Sequence, residues 1–327
     1  MRWHPRFNNQ HTRTNYSRLS FGTDFAVYTN VHNQAIIIME GIGTALITPF
    51  QADGSIDFQA LQRLIEHQIN GGIDYLVILG TTSEVPTLSD DEQQSIIDFV
   101  IKHVAGRLPL VLGVGGNNTA AMVNRLHQLK PVLQQHFAAI LSVTPYYNRP
   151  PQEGLFQHFY AIAEASPIPV LLYNVPKRTG VNLLPETTRR IYDAHPDKIM
   201  GIKEACNSVE QFTETVKIAN GDYAVISGDD DLAYEMMRAG GDGLISVASN
   251  AWPAVMRQLV HEHSALVQQQ YAHLIHLLFV EGNPGGIKTV LSEMGFIQNV
   301  LRLPLVANTP NHQMVIRKAL EYHAATT

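Results

Sequence analysis

One cysteine, Cys206, stands among 327 residues. An intramolecular disulfide is therefore excluded, and a reducing compartment suits the chain. No apolar run approaches the roughly 20 residues that a membrane-spanning helix needs, so no membrane partner is expected. Charge is sparse, at 16% of residues, and 29 acids against 23 bases leave a formal net charge of −6. Without a basic excess, neither nucleic acid nor an anionic surface is expected as the main partner. A dinucleotide-binding turn is also missing. The nearest candidate, GVGGNN at 113–118, carries Asn118 where the last glycine would stand, and it follows the third apolar run rather than the first. Fifteen histidines invite a metal. Yet His261-Glu262-His263 lacks HExxH spacing, and Asp229-Asp230-Asp231 reads as a loop and cap. Neither a metal nor an organic cofactor is expected.

What is present is a period. Eight short apolar runs occupy 43–50, 74–80, 108–115, 138–145, 168–174, 199–203, 223–229 and 242–249. They are rich in Val, Ile and Leu, as strands buried on both faces are. Amphipathic helical patterns lie between them. Phe58, Leu61, Leu64, Ile65 and Ile69 mark one face, with Asp57 placed to cap it and Gly71 to end it. Ser89 and Glu92 have capping-box spacing, and Gly106 closes the segment they open. Pro185 suits the first turn of another helix. Eight strand–helix units predict an α/β fold, a (β/α)₈ TIM barrel, over an open doubly wound sheet. The expected organisation is an extension over 1–38, a catalytic barrel over 39–266 and a helical appendage over 267–327. The extension carries Arg2, Arg6, Arg13 and Arg18 against the single acid Asp24 and shows no sustained period. It is expected to be a disordered tail or untranslated sequence upstream of Met39; its Arg-rich, acid-poor composition also admits a transit peptide.

In such barrels, functional side chains come from the C-terminal ends of strands. The second run ends in Gly80-Thr81-Thr82-Ser83-Glu84, the fourth in Thr144-Pro145-Tyr146-Tyr147-Asn148, the fifth in Tyr173-Asn174 with Arg178 soon after, and the sixth in Lys203. Taken singly, each has a plain reading: a turn or cap for the threonines, amphipathic packing for the tyrosines, a solvated loop for Arg178, a rim position for Lys203. Together they place hydroxyls, phenols, a guanidinium and an amine on one rim. An amine attacks a carbonyl only when neutral, and an apolar pocket favours the neutral form. The product, a Schiff base, is an electron sink. Phenols and hydroxyls can move its protons. Threonine hydroxyls can hold one carboxylate and an arginine a second. The set suggests a small keto acid and a second, anionic substrate.

GTTSE (80–84), TPYYNRP (144–150), YNVPKRTG (173–180), GIKEA (201–205), SGDD (227–230) and GLISV (243–247) resemble the motifs of the 4-hydroxy-tetrahydrodipicolinate (dihydrodipicolinate) synthase family, pyruvate-dependent class I aldolases. The resemblance runs from about 42 to 305 and includes FVEGNPGGIK (279–288) and LRLPL (301–305); residues 1–38 have no counterpart. It implies condensation of pyruvate with L-aspartate 4-semialdehyde in lysine and diaminopimelate synthesis. It implies Lys203 as the Schiff-base residue, Tyr173 as proton donor and acceptor, and Thr81 and Tyr147 as the rest of the relay, with Tyr147 reaching across a dimer interface. Thr82 and the Ile245 backbone would hold pyruvate, and Arg178 the semialdehyde carboxylate. A cytoplasmic homotetramer, built as a dimer of dimers, is implied as well.

Two departures stand out. Ser83 occupies a position where the family usually has Gly; its hydroxyl is expected to find water or backbone. Inhibition by lysine in the family uses an acid at the position of Ala121 and His at those of Asp90 and Gln93. Asn117 and Tyr146 still match, but weak or absent inhibition is expected. Other Schiff-base lyases of the superfamily, such as N-acetylneuraminate lyase or keto-deoxy sugar acid aldolases, share the lysine and tyrosine. The neuraminate lyases typically show Ser-Thr at 81–82 and lack the arginine at 178, so these motifs favour the synthase. A keto-acid sensor on a dead barrel would have lost one of Lys203, Tyr173 or the relay residues, and none is lost.

Overall fold

The computed structural model describes residues 17–19, 26–29 and 35–326, with side chains from Met39 onward. Eight parallel strands close into a barrel: β4 (Gly41–Ala45), β5 (Tyr75–Ile78), β6 (Leu110–Gly113), β7 (Ala139–Val143), β8 (Val170–Asn174), β9 (Ile199–Glu204), β10 (Ala224–Ser227) and β11 (Gly243–Ser246). Each falls within its expected apolar run or within two residues of it. The run at 43–50 was the least accurate, because the strand starts at Gly41 and its last five residues lie beyond the strand. Most of the expectation for 1–38 lies outside the described residues. Within that stretch, β1 (Ser17–Leu19), β2 (Ala26–Thr29) and β3 (Ala35–Ile38) pair antiparallel as a separate sheet.

Helices α1 (Phe58–Asn70), α2 (Asp90–Val104), α3 (Thr119–His136) and α4 (Gln152–Ala165) follow the first four barrel strands. The short α5 (Pro176–Thr179) and α6 (Pro185–Ala194) follow β8, and α7 (Val209–Ala219), α8 (Ala233–Arg238) and α9 (Pro253–Glu262) follow the last three. Then come α10 (Ala265–Leu277), α11 (Gly285–Glu293) and α12 (Pro310–Thr326), the helical appendage. The boundary expected after 266 falls in the first turn of α10. Among the described residues, no helix is long and apolar enough to cross a membrane.

Local chemistry sets the helix ends. The Asp57 carboxylate accepts from Ala60 N–H at 2.9 Å, satisfying one of the orphan donors of the first turn. Ser89 and Glu92 form the complete capping box. At the other end of α2, Ala105 (φ 49°) takes the left-handed position expected of Gly106, which follows it at φ 73°.

Two apolar clusters divide the interior. One fills the barrel, with Met39, Tyr75, Val77, Leu171, Tyr173, Ala224, Ile226 and Ile245 among its members. The other lies between strands and helices, with Leu76, Ile78, Leu172 and Val225 alternating with them. Strand β9 breaks this alternation. Val170 pairs with Ile199, but Leu171 pairs with Gly201, so Met200 is an extra residue. Such a bulge shifts every later side chain to the opposite face. Strict alternation from Ile199, which packs outside, would point Lys203 outward; the bulge turns it into the barrel.

Candidate active site

Lys203 and Tyr173 are directly paired across β8 and β9, each one residue short of its strand's end. Both are buried, at 6% exposure. The Lys203 amine lies 4.4 Å from the centroid of the Tyr173 ring. Behind it, the chain after β10 passes so close that a Cβ at Gly228 would stand 2.8 Å from Lys203 Cε. Gly228 therefore makes room for the lysine stem, a packing reason for the glycine in SGDD.

Thr81, Thr82 and Ser83 form a single 3₁₀ turn after β5. Glu84 follows at φ 58°, a left-handed conformation uncommon for a residue that carries a side chain. Thr82 is buried, and its Oγ1 accepts from Asn283 Nδ2 at 3.0 Å. Arg178, in α5, donates from Nη2 to the Asn283 carbonyl at 3.0 Å. Asn283 thus joins the expected carboxylate-binding threonine to the expected carboxylate-binding arginine. Sequence reasoning did not single it out, because it sits in the appendage rather than at a strand end. The one signal was its place inside FVEGNPGGIK. A cavity of about 950 Å³ opens here, lined by Thr81, Glu84, Tyr146, Tyr173, Arg178 and Asn283 among others.

Of the expected site residues, Thr81, Tyr173 and Arg178 line this cavity; Lys203, Thr82, Tyr147 and Ile245 are not among its lining residues. Tyr147 is 90% exposed, at φ 72°. Ile245 is buried in β11, inside the barrel and paired with Gly43. Ser83 is buried, and its hydroxyl donates to the Leu46 carbonyl at 2.6 Å, so of the two partners expected for it, water or backbone, it finds backbone. Ala121, Asp90 and Gln93 are among the residues that line the cavity. Asn117 Nδ2 donates to the carbonyl of Tyr146, another lining residue, at 3.1 Å.

Carboxyls around the lysine are perturbed by burial. Asp229 is raised above the usual carboxylate range by desolvation, with Lys177 and, more weakly, Lys203 among the groups pulling it back. Asp230 is pushed up to about 6 by burial, against hydrogen bonds from Ser246 and from the backbone of Val247 and Ala248. It ties β11 to the loop after β10. Glu204, on the outer face of β9, is pushed up to about 7 by burial, against hydrogen bonds from Gln211, Cys206 and Asn174.

A closed eight-stranded barrel that buries a lysine at the end of its sixth strand, against a tyrosine of the fifth, has the architecture of the lysine-dependent aldolases. Comparison with known proteins narrows the class. The model of the Dihydrodipicolinate synthetase family matches residues 38–323, and the chain belongs to that family. The 4-hydroxy-tetrahydrodipicolinate synthase of Parabacteroides distasonis is 46% identical over 279 residues, covering 83% of this chain and 93% of that protein. The synthase of Flavobacterium psychrophilum is 44% identical, covering 82% and 92%. Among solved structures, the dihydrodipicolinate synthase of Thermotoga maritima superposes with a TM-score of 0.82 at 38% identity, covering 88% of this chain and 99% of that one.

Proposed function

We infer that the chain condenses pyruvate with L-aspartate 4-semialdehyde through a Schiff base on Lys203, giving 4-hydroxy-tetrahydrodipicolinate, the product in its relatives' names. The observation that carries this reading is the buried Lys203 amine, 4.4 Å from the Tyr173 ring at the barrel rim. The amine adds to the ketone carbon of pyruvate, and loss of water leaves the imine. Removal of a methyl proton gives an enamine, whose carbon bonds to the aldehyde carbon of the second substrate. The amino group of that substrate then attacks the imine carbon, closing the ring and releasing Lys203. Tyr173 carries protons in these steps, with Thr81 and the partner subunit's copy of Tyr147 completing the relay. Thr82 and the Ile245 backbone hold the pyruvate carboxylate, and Arg178 grips the semialdehyde carboxylate. The exposure of Tyr147 supports its delivery to a second copy, and the assembly proposed is a homotetramer built as a dimer of dimers. The same reading divides the chain into extension (1–38), barrel (39–266) and appendage (267–327). A cytoplasmic location suits its single cysteine.

Borohydride reduction in the presence of pyruvate tests the central step. The adduct is expected on Lys203 by peptide mapping and is absent in Lys203→Ala. Pyruvate consumption is expected with L-aspartate 4-semialdehyde and not with N-acetylmannosamine. The reverse preference would assign the chain to the neuraminate lyases.

A further inference from the structure

Lys288 is completely buried in α11. Its ammonium forms an ion pair with Glu84 Oε1, donates to the Val300 carbonyl at 2.9 Å and lies 4.2 Å from the Phe50 ring centroid. Carboxylate, carbonyl and ring thus surround the ammonium, as a buried charge requires. Burial pulls Lys288 down to about 8, against the opposing pull of Glu84.

The other partner, Glu84, is equally buried and ends the turn that carries Thr81 and Thr82. Its second oxygen, Oε2, accepts from Arg302 N–H at 3.2 Å. Arg302 extends the attachment. Its guanidinium donates to the Thr87 carbonyl at 2.9 Å, pairs with Glu92 and lies 4.4 Å from the centroid of the same Phe50 ring. The turn is held from within as well: Glu84 N–H donates to the Thr81 carbonyl at 3.2 Å, and Thr87 N–H to the Glu84 carbonyl at 2.8 Å. Left-handed backbone at a glutamate is unfavourable unless its surroundings over-determine it. Here the surroundings are a buried cation and a backbone N–H, both from the appendage.

We propose that Lys288, through Glu84, is a positioning residue for pyruvate: it fixes the turn that presents Thr81 and Thr82 to the keto acid. The proposal rests on the function inferred above. A surface tether would be indifferent to side-chain identity, and a stability device could sit anywhere in the core. This pair joins the backbone at the residue that sets the turn's conformation, two positions after Thr82. Neither partner touches the reacting carbon, so the effect reaches catalysis through geometry. Misplacement of a binding group by about 1 Å costs up to about 100-fold in rate.

The test measures half-saturating pyruvate for borohydride trapping on Lys203, alone and in steady-state turnover. Wild type, Lys288→Met and the double variant Glu84→Gln/Lys288→Met are compared, each with its melting temperature. In Lys288→Met, the unpaired carboxylate lowers the melting temperature and raises half-saturating pyruvate by at least about tenfold, within the range for misplaced groups. In the double variant no charge is stranded, so the melting temperature recovers while half-saturating pyruvate stays raised. That split separates positioning from stability. Arg302→Gln, at a partly exposed site, leaves the buried pair intact and cuts the tie at Thr87; a smaller rise in the same direction is expected. Unchanged pyruvate dependence in the folded variants overturns the proposal. Absence of any trapping in the wild type overturns the functional reading instead.

Discussion

At Ser83, where the family resemblance implies glycine, the neighbours show how a hydroxyl is accommodated. The side chain turns away from the cavity to donate to the Leu46 carbonyl, while the Ser83 carbonyl accepts from Thr48 Oγ1 at 2.9 Å. The serine thus staples the threonine turn to the chain after β4. Ser83→Gly is expected to cost about 1 kcal/mol in urea unfolding, the typical value of one such bond, and to leave the KM for pyruvate within about twofold, because the contact points away from the substrate. Ala121 raises the opposite question, since its methyl group offers no charge to an amino acid's ammonium. A titration of L-lysine should slow turnover weakly or not at all; strong inhibition at low concentration refutes this. Residue identity made both positions legible as departures. Where the Ser83 hydroxyl would go could not be read from the chain, because Leu46 lies 37 residues earlier.

Strand β9 carries the catalytic candidate on one face and a buried acid on the other. Glu204 Oε1 and Oε2 accept from Asn174 Nδ2 at 2.9 and 3.2 Å, from Cys206 N–H at 3.0 Å and from Gln211 Nε2 at 3.1 Å. This network joins the ends of β8 and β9, the two strands that carry Tyr173 and Lys203. Its pKa of about 7 exceeds the ordinary 4.5, so the native state holds this proton more tightly than the unfolded chain does. The contribution is full below about pH 4.5 and is lost as pH rises to about 7, a decline of order 3 kcal/mol. Glu204→Gln removes the titration, so the pH dependence of unfolding free energy between these limits should lose that falling component, whatever the constant offset. A variant with the wild-type slope would refute the assignment. The eight barrel strands were legible because strands buried on both faces are written as continuous apolar runs. The orientation of Lys203 was not: Met200 looks like any other apolar residue, and only pairing with β8 shows that it is supernumerary.

At the scale of the described residues, the barrel's candidate site is joined by residues far from it in sequence. Strand-end residues such as Thr81, Tyr173 and Lys203 could be read because topology sends strand ends to one rim. Asn283 and Lys288 obey no such rule, since their approach depends on how the appendage folds back. At the other terminus, the family match begins at residue 38, and Met39 is buried against the barrel's inner cluster. A protein beginning at Met39 keeps that plug. It is expected to retain kcat within about twofold and to melt within a few degrees of the full chain; a larger loss would assign residues 1–38 a structural role.

The bond from Asn283 to Thr82 spans 201 residues, and that from Arg302 to Glu92 spans 210. Biosynthesis is vectorial, so this distance becomes time. A nascent chain can have every barrel strand outside the ribosome while its threonine turn still lacks the groups that hold it. At about 5–20 residues per second, the roughly 40 residues from the end of the barrel to Arg302 take roughly 2–8 s to arrive. Over that interval the barrel strands are complete and the threonine turn still lacks its ties to the appendage, so on the proposed function activity is expected to be one of the last properties the growing polypeptide acquires.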